Sequence, residues 1–397
     1  MKASTYQHTI YASYLGYITQ AVVNNLAPLL FLIFQDAFSI TLEKITLLIT
    51  INFLVQLTVD LACAKWIDRL GYRRGIIAAH VFAGVGLVGL AVFPSLFANS
   101  YAGLLIAVVL YAIGGGLLEV LVSPIVEACP TDNKAQVMSL LHSFYCWGTV
   151  LVIVVSTAFL AIVGKGSWRV LPCVWALLPF GNALFFSRVP IAQLTEKGEE
   201  MSLKTLFGQF AFWLFMVLMV TAGASEQAMS QWASSFAEKG LGLSKTLGDL
   251  TGPCLFSILM GSARMIYAKF GDRMKLTSFL IGSGMLCIVS YLLAALSQNP
   301  VWALVGCASC GFSVGIMWPG VFSVASERFP KGGTAMFALL ALSGDLGCSG
   351  GPTTVGFVSG LFGERLQAGL LAAIVFPVLL VGCSLIYTML EKRRNVR

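Results

Sequence analysis

Residues 101–129 read YAGLLIAVVLYAIGGGLLEVLVSPIVEAC, a stretch whose only charged side chains are Glu119 and Glu127. An apolar run of this length limits the fold more than any motif in the chain. About 20 apolar residues in a helix cross the hydrocarbon of a bilayer. In hydrocarbon, only a helix or a closed barrel satisfies every backbone N–H and C=O. Similar runs recur throughout the chain, and they read as about twelve spans. Their limits are 8–34, 44–66, 75–97, 102–128, 135–163, 169–189, 206–237, 246–268, 276–297, 301–328, 333–361 and 367–390. Composition agrees with this. Of the 397 residues, 57% are hydrophobic and 11% charged, where soluble domains carry roughly 25% charged residues. The expected fold class is all-α, a polytopic membrane protein with the lipid bilayer as its surroundings. The N-terminus lacks a charged leader region and a small-residue cleavage site, so the first span is expected both to target and to cross.

The loops give the orientation. Basic clusters fall in alternate connections: Arg69/Arg73/Arg74, Lys134, Arg188/Lys197/Lys204, Lys269/Arg273/Lys275, Arg328/Lys331 and the C-terminal Lys392/Arg393/Arg394/Arg397. The other loops balance their charge, as in Glu43/Lys44, Glu238/Lys239 and Glu364/Arg365. Positive charge collects on the cytoplasmic side, so both termini are placed in the cytoplasm. The net charge of +7 is thereby a topology signal, and no nucleic-acid partner is expected. Compact loops point to a bacterial inner membrane. The longest polar linker, 190–205, separates an N-terminal bundle (1–189) from a C-terminal bundle (206–397), six spans each.

The two halves read as repeats. Gly71 and Gly271, Arg73 and Arg273, Gly115 and Gly315, Glu127 and Glu327, and Pro130 and Pro330 are each 200 residues apart. Such repeats mark two-bundle transporters, whose site lies at the repeat interface near the midplane. The third, sixth, ninth and twelfth spans carry almost no interior ionisable group, with His80, near a helix end, as the exception. Those spans suit lipid contact. The others hold Asp60, Glu119, His142, Glu226, Arg264 and Asp345. Ionisable groups inside spans are costly and usually face a polar path or a partner.

Glu119 and His142 sit roughly 13 and 10 Å from the cytoplasmic ends of their spans, at 1.5 Å per residue. Antiparallel neighbours would bring them to a similar level. Burial disfavours the charged form of each, a condition for proton exchange. A static pair, a hydrogen-bonded histidine or a neutral sugar ligand would also fit. Glu226 and Asp345 are the corresponding candidates in the second half, each able to bind a hydroxyl, a proton or a cationic solute. The glycines around Asp345 (GDLGCSGGP) allow close packing or local unwinding. Gln20 and Asn24 are one turn apart and share a face. Together with Asn25 and Tyr145 they offer donors and acceptors, and Trp232 and Trp318 offer faces for stacking or for packing. Asp60 lies nearer the cytoplasmic end and reads as part of a gate. Arg264 lies toward the cytoplasm, where its stem would let it snorkel.

Asp68-Arg-Leu-Gly-Tyr-Arg-Arg74 resembles the loop signature of the major facilitator superfamily, with Ala64 in place of its usual first glycine. The resemblance implies two pseudo-symmetric six-helix bundles and a gating role for Asp68, Arg69, Gly71 and Arg73. Within that superfamily the first half resembles the fucose permease branch of sugar:proton symporters. The matching residues are Asn24-Asn25-Leu26, Glu119 through Pro124, and Leu141-His-Ser-Phe144 with Gly148. Glu226 and Trp232 resemble a further pattern of the second half. Pro28 and Tyr145 depart from the branch, which has an acid and an asparagine there, so a span-one proton carrier is missing.

The expectation is a monomeric secondary transporter for a small polar solute, a sugar first, coupled to protons or another ion. A proton-coupled efflux carrier for amphiphilic or cationic compounds is the alternative, and a non-transporting sensor the remote one. No nucleophile–base set appears, so an enzyme is not expected. Ten cysteines and three histidines form no metal constellation, and no cofactor is expected. Cys307 and Cys310 make a CxxC inside an apolar run, which reads as buried small hydrophobes.

Overall fold

The computed structural model describes residues 3–130, 134–191, 201, 203–270, 276–329 and 332–395. Among these residues the secondary structure is helical. The chain divides into two compact units, Met1–Glu196 and Lys197–Arg397.

The first unit contains α1 (Ala3–Phe38), α2 (Leu42–Leu70), α3 (Tyr72–Leu96), α4 (Ser100–Glu127), α5 (Lys134–Val163) and α6 (Val170–Arg188). Gly71 makes the turn between α2 and α3 at φ 84, a conformation that glycine adopts without the steric cost of a Cβ. In the second unit the spans are broken into pieces. Helices α7 (Leu203–Phe207), α8 (Phe210–Ser230) and α9 (Ala233–Ser235) lead into a π-helical turn at Phe236–Gly240. Next come α10 (Lys245–Asp249), a second π turn at Leu250–Cys254 and α11 (Leu255–Phe270). The unit continues with α12 (Leu276–Leu296), α13 (Pro300–Val314), α14 (Met317–Arg328), α15 (Gly333–Leu361), α16 (Leu366–Ala373) and α17 (Val375–Asn395).

Ten helical stretches among the described residues are long and apolar enough to cross a membrane. The eighth and eleventh expected spans are not among them, for reasons of sequence. The eighth is interrupted by the π turn at 250–254 and has Thr, Gly, Pro, Ser and Arg264 among its apolar residues, with α11 itself 16 residues long. Helix α15 has the length, 29 residues, but is rich in Gly, Ser and Thr.

The packing within each unit follows one pattern. In the first, α3 packs on α4 and α6, α1 on α5, and α2 on α4. In the second, α12 packs on α13 and α17, α8 on α15, and α11 on α13. Counted as spans, these are the same four pairings, three with four, three with six, one with five and two with four. The repeat read from residue spacing is thus present in the packing. Exposed apolar stripes lie on α3 (Val81, Val85, Val92) and α17 (Val378, Leu385, Met389), and equally on α2 (Leu47, Leu54, Leu61) and α5 (Trp147, Leu151, Val154), so they do not separate the spans with ionisable groups from those without. The first span is 89% buried along its most apolar stretch and the last only 33%.

Helix α15 uses its glycines for close packing and stays helical throughout. A Cβ on Gly347 would overlap the carbonyl oxygen of Val220, and one on Gly351 that of Ala224, both on α8. His80 lies nine residues into α3 and is fully buried. Its Nδ1 donates to the Ile76 carbonyl at 2.7 Å. Asn182 Nδ2 reaches its Nε2 at 2.8 Å and the Ala12 carbonyl at 2.9 Å. That knot ties α1, α3 and α6 and satisfies a histidine that lipid could not. Cys307 and Cys310 are fully buried, as small hydrophobes would be.

Candidate functional site

The polar chemistry of the first unit lies on facing stripes of α1 and α2. Asn52, Gln56 and Asp60 are one turn apart on α2, and Gln20 and Asn24 one turn apart on α1, so each set shares a face. Asn24 Oδ1 accepts from Gln56 Nε2 at 3.0 Å and from Asn52 Nδ2 at 3.4 Å. Gln20 Nε2 donates to Gln56 Oε1 at 3.1 Å and to Glu119 Oε2, on α4, at 3.3 Å. All four amides are buried. A carboxylate oxygen of Asp60 lies within 4.8 Å of one on Glu119. When both are charged they repel, and a proton on either relieves the repulsion. Asp60, read from sequence as part of a gate, therefore sits beside the coupling candidate Glu119. Asn25 points elsewhere. Its Nδ2 donates to the Ala21 carbonyl at 2.9 Å and to Thr149 Oγ1, on α5, at 3.2 Å.

His142 reaches Glu119's helix through an intermediary. Its exposed ring lies 5.3 Å from the ring of Tyr17, whose hydroxyl pairs with Ser123 Oγ at 2.9 Å. Ser123 is one turn beyond Glu119 on α4. Tyr145 is partly buried against the core of this unit.

Of the gating candidates, Gly71 forms the turn described above. Arg73 closes the end of α6. Its Nη1 donates to the Phe186 and Ser187 carbonyls at 2.8 and 2.9 Å, and its Nη2 to that of Val189 at 2.8 Å. These are carbonyls that the end of a helix leaves without an internal donor. The side chains of Asp68 and Arg69 lie outside the described residues, as does the second copy of the loop, 271–273.

The second unit carries different chemistry. Proline at 319 has no N–H to give the Gly315 carbonyl, and its ring crowds that carbonyl. The tenth span accordingly breaks between α13 and α14. Arg264 Nε supplies the missing donor, 3.1 Å from the Gly315 oxygen. Arg264 Nη2 then lies 3.8 Å from Glu226 Oε2, and Gln227 Nε2 donates to Glu226 Oε1 at 3.2 Å. Glu226 is thus a buried acid with a cation beside it, and that cation is held in place by a proline break. Arg264 does not snorkel. Asp345 is buried on α15, the helix that packs on the one bearing Glu226. Trp318 lies against Gly344, where a Cβ would overlap its ring. Trp232 is fully buried and donates Nε1 to the Pro352 carbonyl at 2.9 Å.

A further buried cluster was missed, although Asp249 lies inside the expected eighth span and Lys245 stands four residues before it. Lys245 Nζ lies 2.6 Å from Asp249 Oδ1 and 3.0 Å from Ser234 Oγ, and Ser234 Oγ donates to Asp249 Oδ1 at 2.5 Å. It joins α9 to α10 across the break between the seventh and eighth spans. The amides Asn52, Gln56, Gln227 and Gln231 were also missed, although those of α1 were read. The i, i+4, i+8 spacing of Asn52, Gln56 and Asp60 inside an apolar span was the available signal.

Two units of membrane-length helices, each with the same pairings and with buried polar groups, define a polytopic transporter built from a repeat. Residues 13–352 match the sequence profile of the Major Facilitator Superfamily. The chain belongs to that family and is a multi-pass membrane protein. Among solved structures it is similar to a D-xylose–proton symporter, at 16% identity and TM-score 0.76, over 96% of each chain. It is also similar to a variant of the E. coli fucose:proton symporter, at 15% identity and TM-score 0.67, over 96% of this chain and 99% of that one. A third is a bacterial homologue of the human lysosomal transporter Spinster, at 16% identity and TM-score 0.76, over 97% of each chain. At these identities the likeness is one of fold. Comparison with curated proteins finds no match.

Proposed function

We propose that this protein is a monomeric proton-coupled symporter of the cell inner membrane, with both termini cytoplasmic. It takes up a small polar solute, a sugar or sugar-like compound, by alternating access. The observation that carries this reading is the bridge made by Gln20, whose one amide nitrogen holds both a buried amide of α2 and the carboxylate of Glu119. A solute that rearranges the amides changes the environment of the acid, and a proton on the acid changes the amides. Such reciprocity is what coupling between two ligands requires.

In this reading Glu119 carries the proton in the first unit, with Asp60 as its acidic neighbour. His142 serves as a relay near Tyr17. Glu226, balanced by Arg264, and Asp345 are the proton or hydroxyl ligands of the second unit. The sugar:proton coupling of the D-xylose and fucose symporters supports the choice of solute and ion. The test is counterflow in proteoliposomes, with a panel of sugars, nucleosides and cationic drugs. Exchange of a neutral sugar is the expected result. Exchange confined to the cationic compounds would replace this reading with the efflux carrier.

A further inference from the structure

Four amide hydrogens of the cluster on α1 and α2 have acceptors within it or on Glu119. Gln20 Nε2 has two hydrogens and two acceptors, Gln56 Oε1 and Glu119 Oε2. Gln56 Nε2 and Asn52 Nδ2 both donate to Asn24 Oδ1. An ionised carboxylate only accepts, so Glu119 fixes which end of the Gln20 amide faces it. Exchanging N and O on Gln20 would set its oxygen against two others. Two carbonyl oxygens then remain, Gln20 Oε1 and Asn52 Oδ1, each buried and without a hydrogen-bond partner among the described residues. The two residues are both 4% exposed. Buried carbonyl oxygens are nearly always paired, and one left alone is costly. Here two occur within one small cluster.

We infer that Asn52 on α2 is a specificity-determining residue, and that its Oδ1 and Gln20 Oε1 each receive a hydroxyl hydrogen from the transported solute. The inference rests on the neutral-sugar reading above. Both hydrogens of Gln20 and one each of Gln56 and Asn52 are placed within the cluster and on Glu119, while Gln20 Oε1 and Asn52 Oδ1 remain as acceptors. A solute rich in O–H donors completes it, while one that only accepts does not. Gln56 is a positioning residue, because it takes the hydrogen of Gln20 and gives its own to Asn24. That arrangement leaves the two oxygens without a donor from the network. It also links solute to acid: the amide whose oxygen takes the solute's hydroxyl has its nitrogen on Glu119.

The test begins with wild-type protein in proteoliposomes and the sugar that counterflow identifies. KM is measured for that sugar and for its full set of monodeoxy analogues. Two ring positions are expected to matter, each deoxy analogue raising KM about tenfold or more, the range for losing a buried hydrogen bond. Asn52→Leu is then expected to raise KM for the parent sugar to a similar extent. It should have no further effect on one of the two sensitive analogues, because the lost hydroxyl and the lost oxygen are partners.

Equal KM for every monodeoxy analogue in the wild type would overturn the inference, and this arm needs no variant to fold. So would an Asn52→Leu protein that lowers thermal stability yet discriminates among the analogues as the wild type does. In that case the oxygen would be satisfied by an ordered water alone. If no neutral sugar exchanges at all, the symport reading itself fails first, and that outcome is visible before any analogue is tested.

Discussion

Glu119 accepts from the Gln20 amide and lies beside Asp60, and Glu226 is an acid beside an arginine. The two therefore answer differently to neutralisation. Glu119→Gln keeps an oxygen that can accept from Gln20, so the fold should tolerate it and the proton response should be lost. Glu226→Gln leaves Arg264 partly buried with its counter-charge gone, which is the costlier change. Pro319→Ala offers a sharper test of the second unit. It restores a helical N–H to the Gly315 carbonyl, where an interior proline costs about 3 kcal/mol. Thermal unfolding in detergent should show stability unchanged or raised. Uptake should fall about tenfold or more, since Arg264 loses the carbonyl that aims it. A fall in both would mean that the break is only structural.

Which residues could be read from sequence follows from their chemistry. A charge inside an apolar run is conspicuous, so Asp60, Glu119, Glu226, Arg264 and Asp345 stood out. Amides are not conspicuous, and half of the first unit's network went unread although its spacing was visible. Trp232 shows the opposite difficulty. A tryptophan that packs and one that binds a sugar are alike in sequence, and this one is fully buried on the Pro352 carbonyl.

At the scale of elements, two contacts hold the second unit's irregular spans. The first is the glycine face of α15 on α8. Gly351→Leu would drive a side chain into the Ala224 backbone, and overpacking of that kind costs about 1–3 kcal/mol. A drop in unfolding temperature is expected, whereas Gly350→Leu, with open space at its Cβ position, should be near neutral. The second contact is the buried Lys245–Asp249–Ser234 cluster. Asp249→Asn leaves an ammonium buried without its counter-charge, a loss of about 3–5 kcal/mol. The paired replacement of Lys245 by Met and Asp249 by Leu should recover most of it. Denaturation of the three variants side by side checks this, and a pair no better than the single change would contradict it.

Helix existence was legible because apolar length and loop charge are one-dimensional signals. The breaks were less so. Pro319 marked a break at Gly315 by a local steric rule. The π turns at 236–240 and 250–254 flank a buried ion pair; the second contains Pro253, to which the same rule applies, and the first carries no comparable local signal. Length alone therefore placed the eighth span as a single uninterrupted helix.

At the scale of the whole molecule, a repeat in sequence has become a repeat in packing, while the chemistry of the halves has diverged. The position of Glu119 corresponds to that of Pro319. One unit keeps an acid on an unbroken helix, and the other breaks the helix and brings in an arginine. The 200-residue offset made the architecture legible. The divergence could be seen as a substitution, but its consequence, Arg264 on the freed Gly315 carbonyl, needed the folded chain.

The central claim is that Glu119 couples the solute to protons, and one measurement bears on it directly. Wild-type and Glu119→Gln proteins are reconstituted, and sugar accumulation under an inward proton gradient is compared with counterflow in its absence. Wild-type protein should accumulate the sugar. The variant should exchange it by counterflow at a rate within a few-fold of wild type, yet accumulate none. Full proton-driven accumulation by Glu119→Gln would contradict the account.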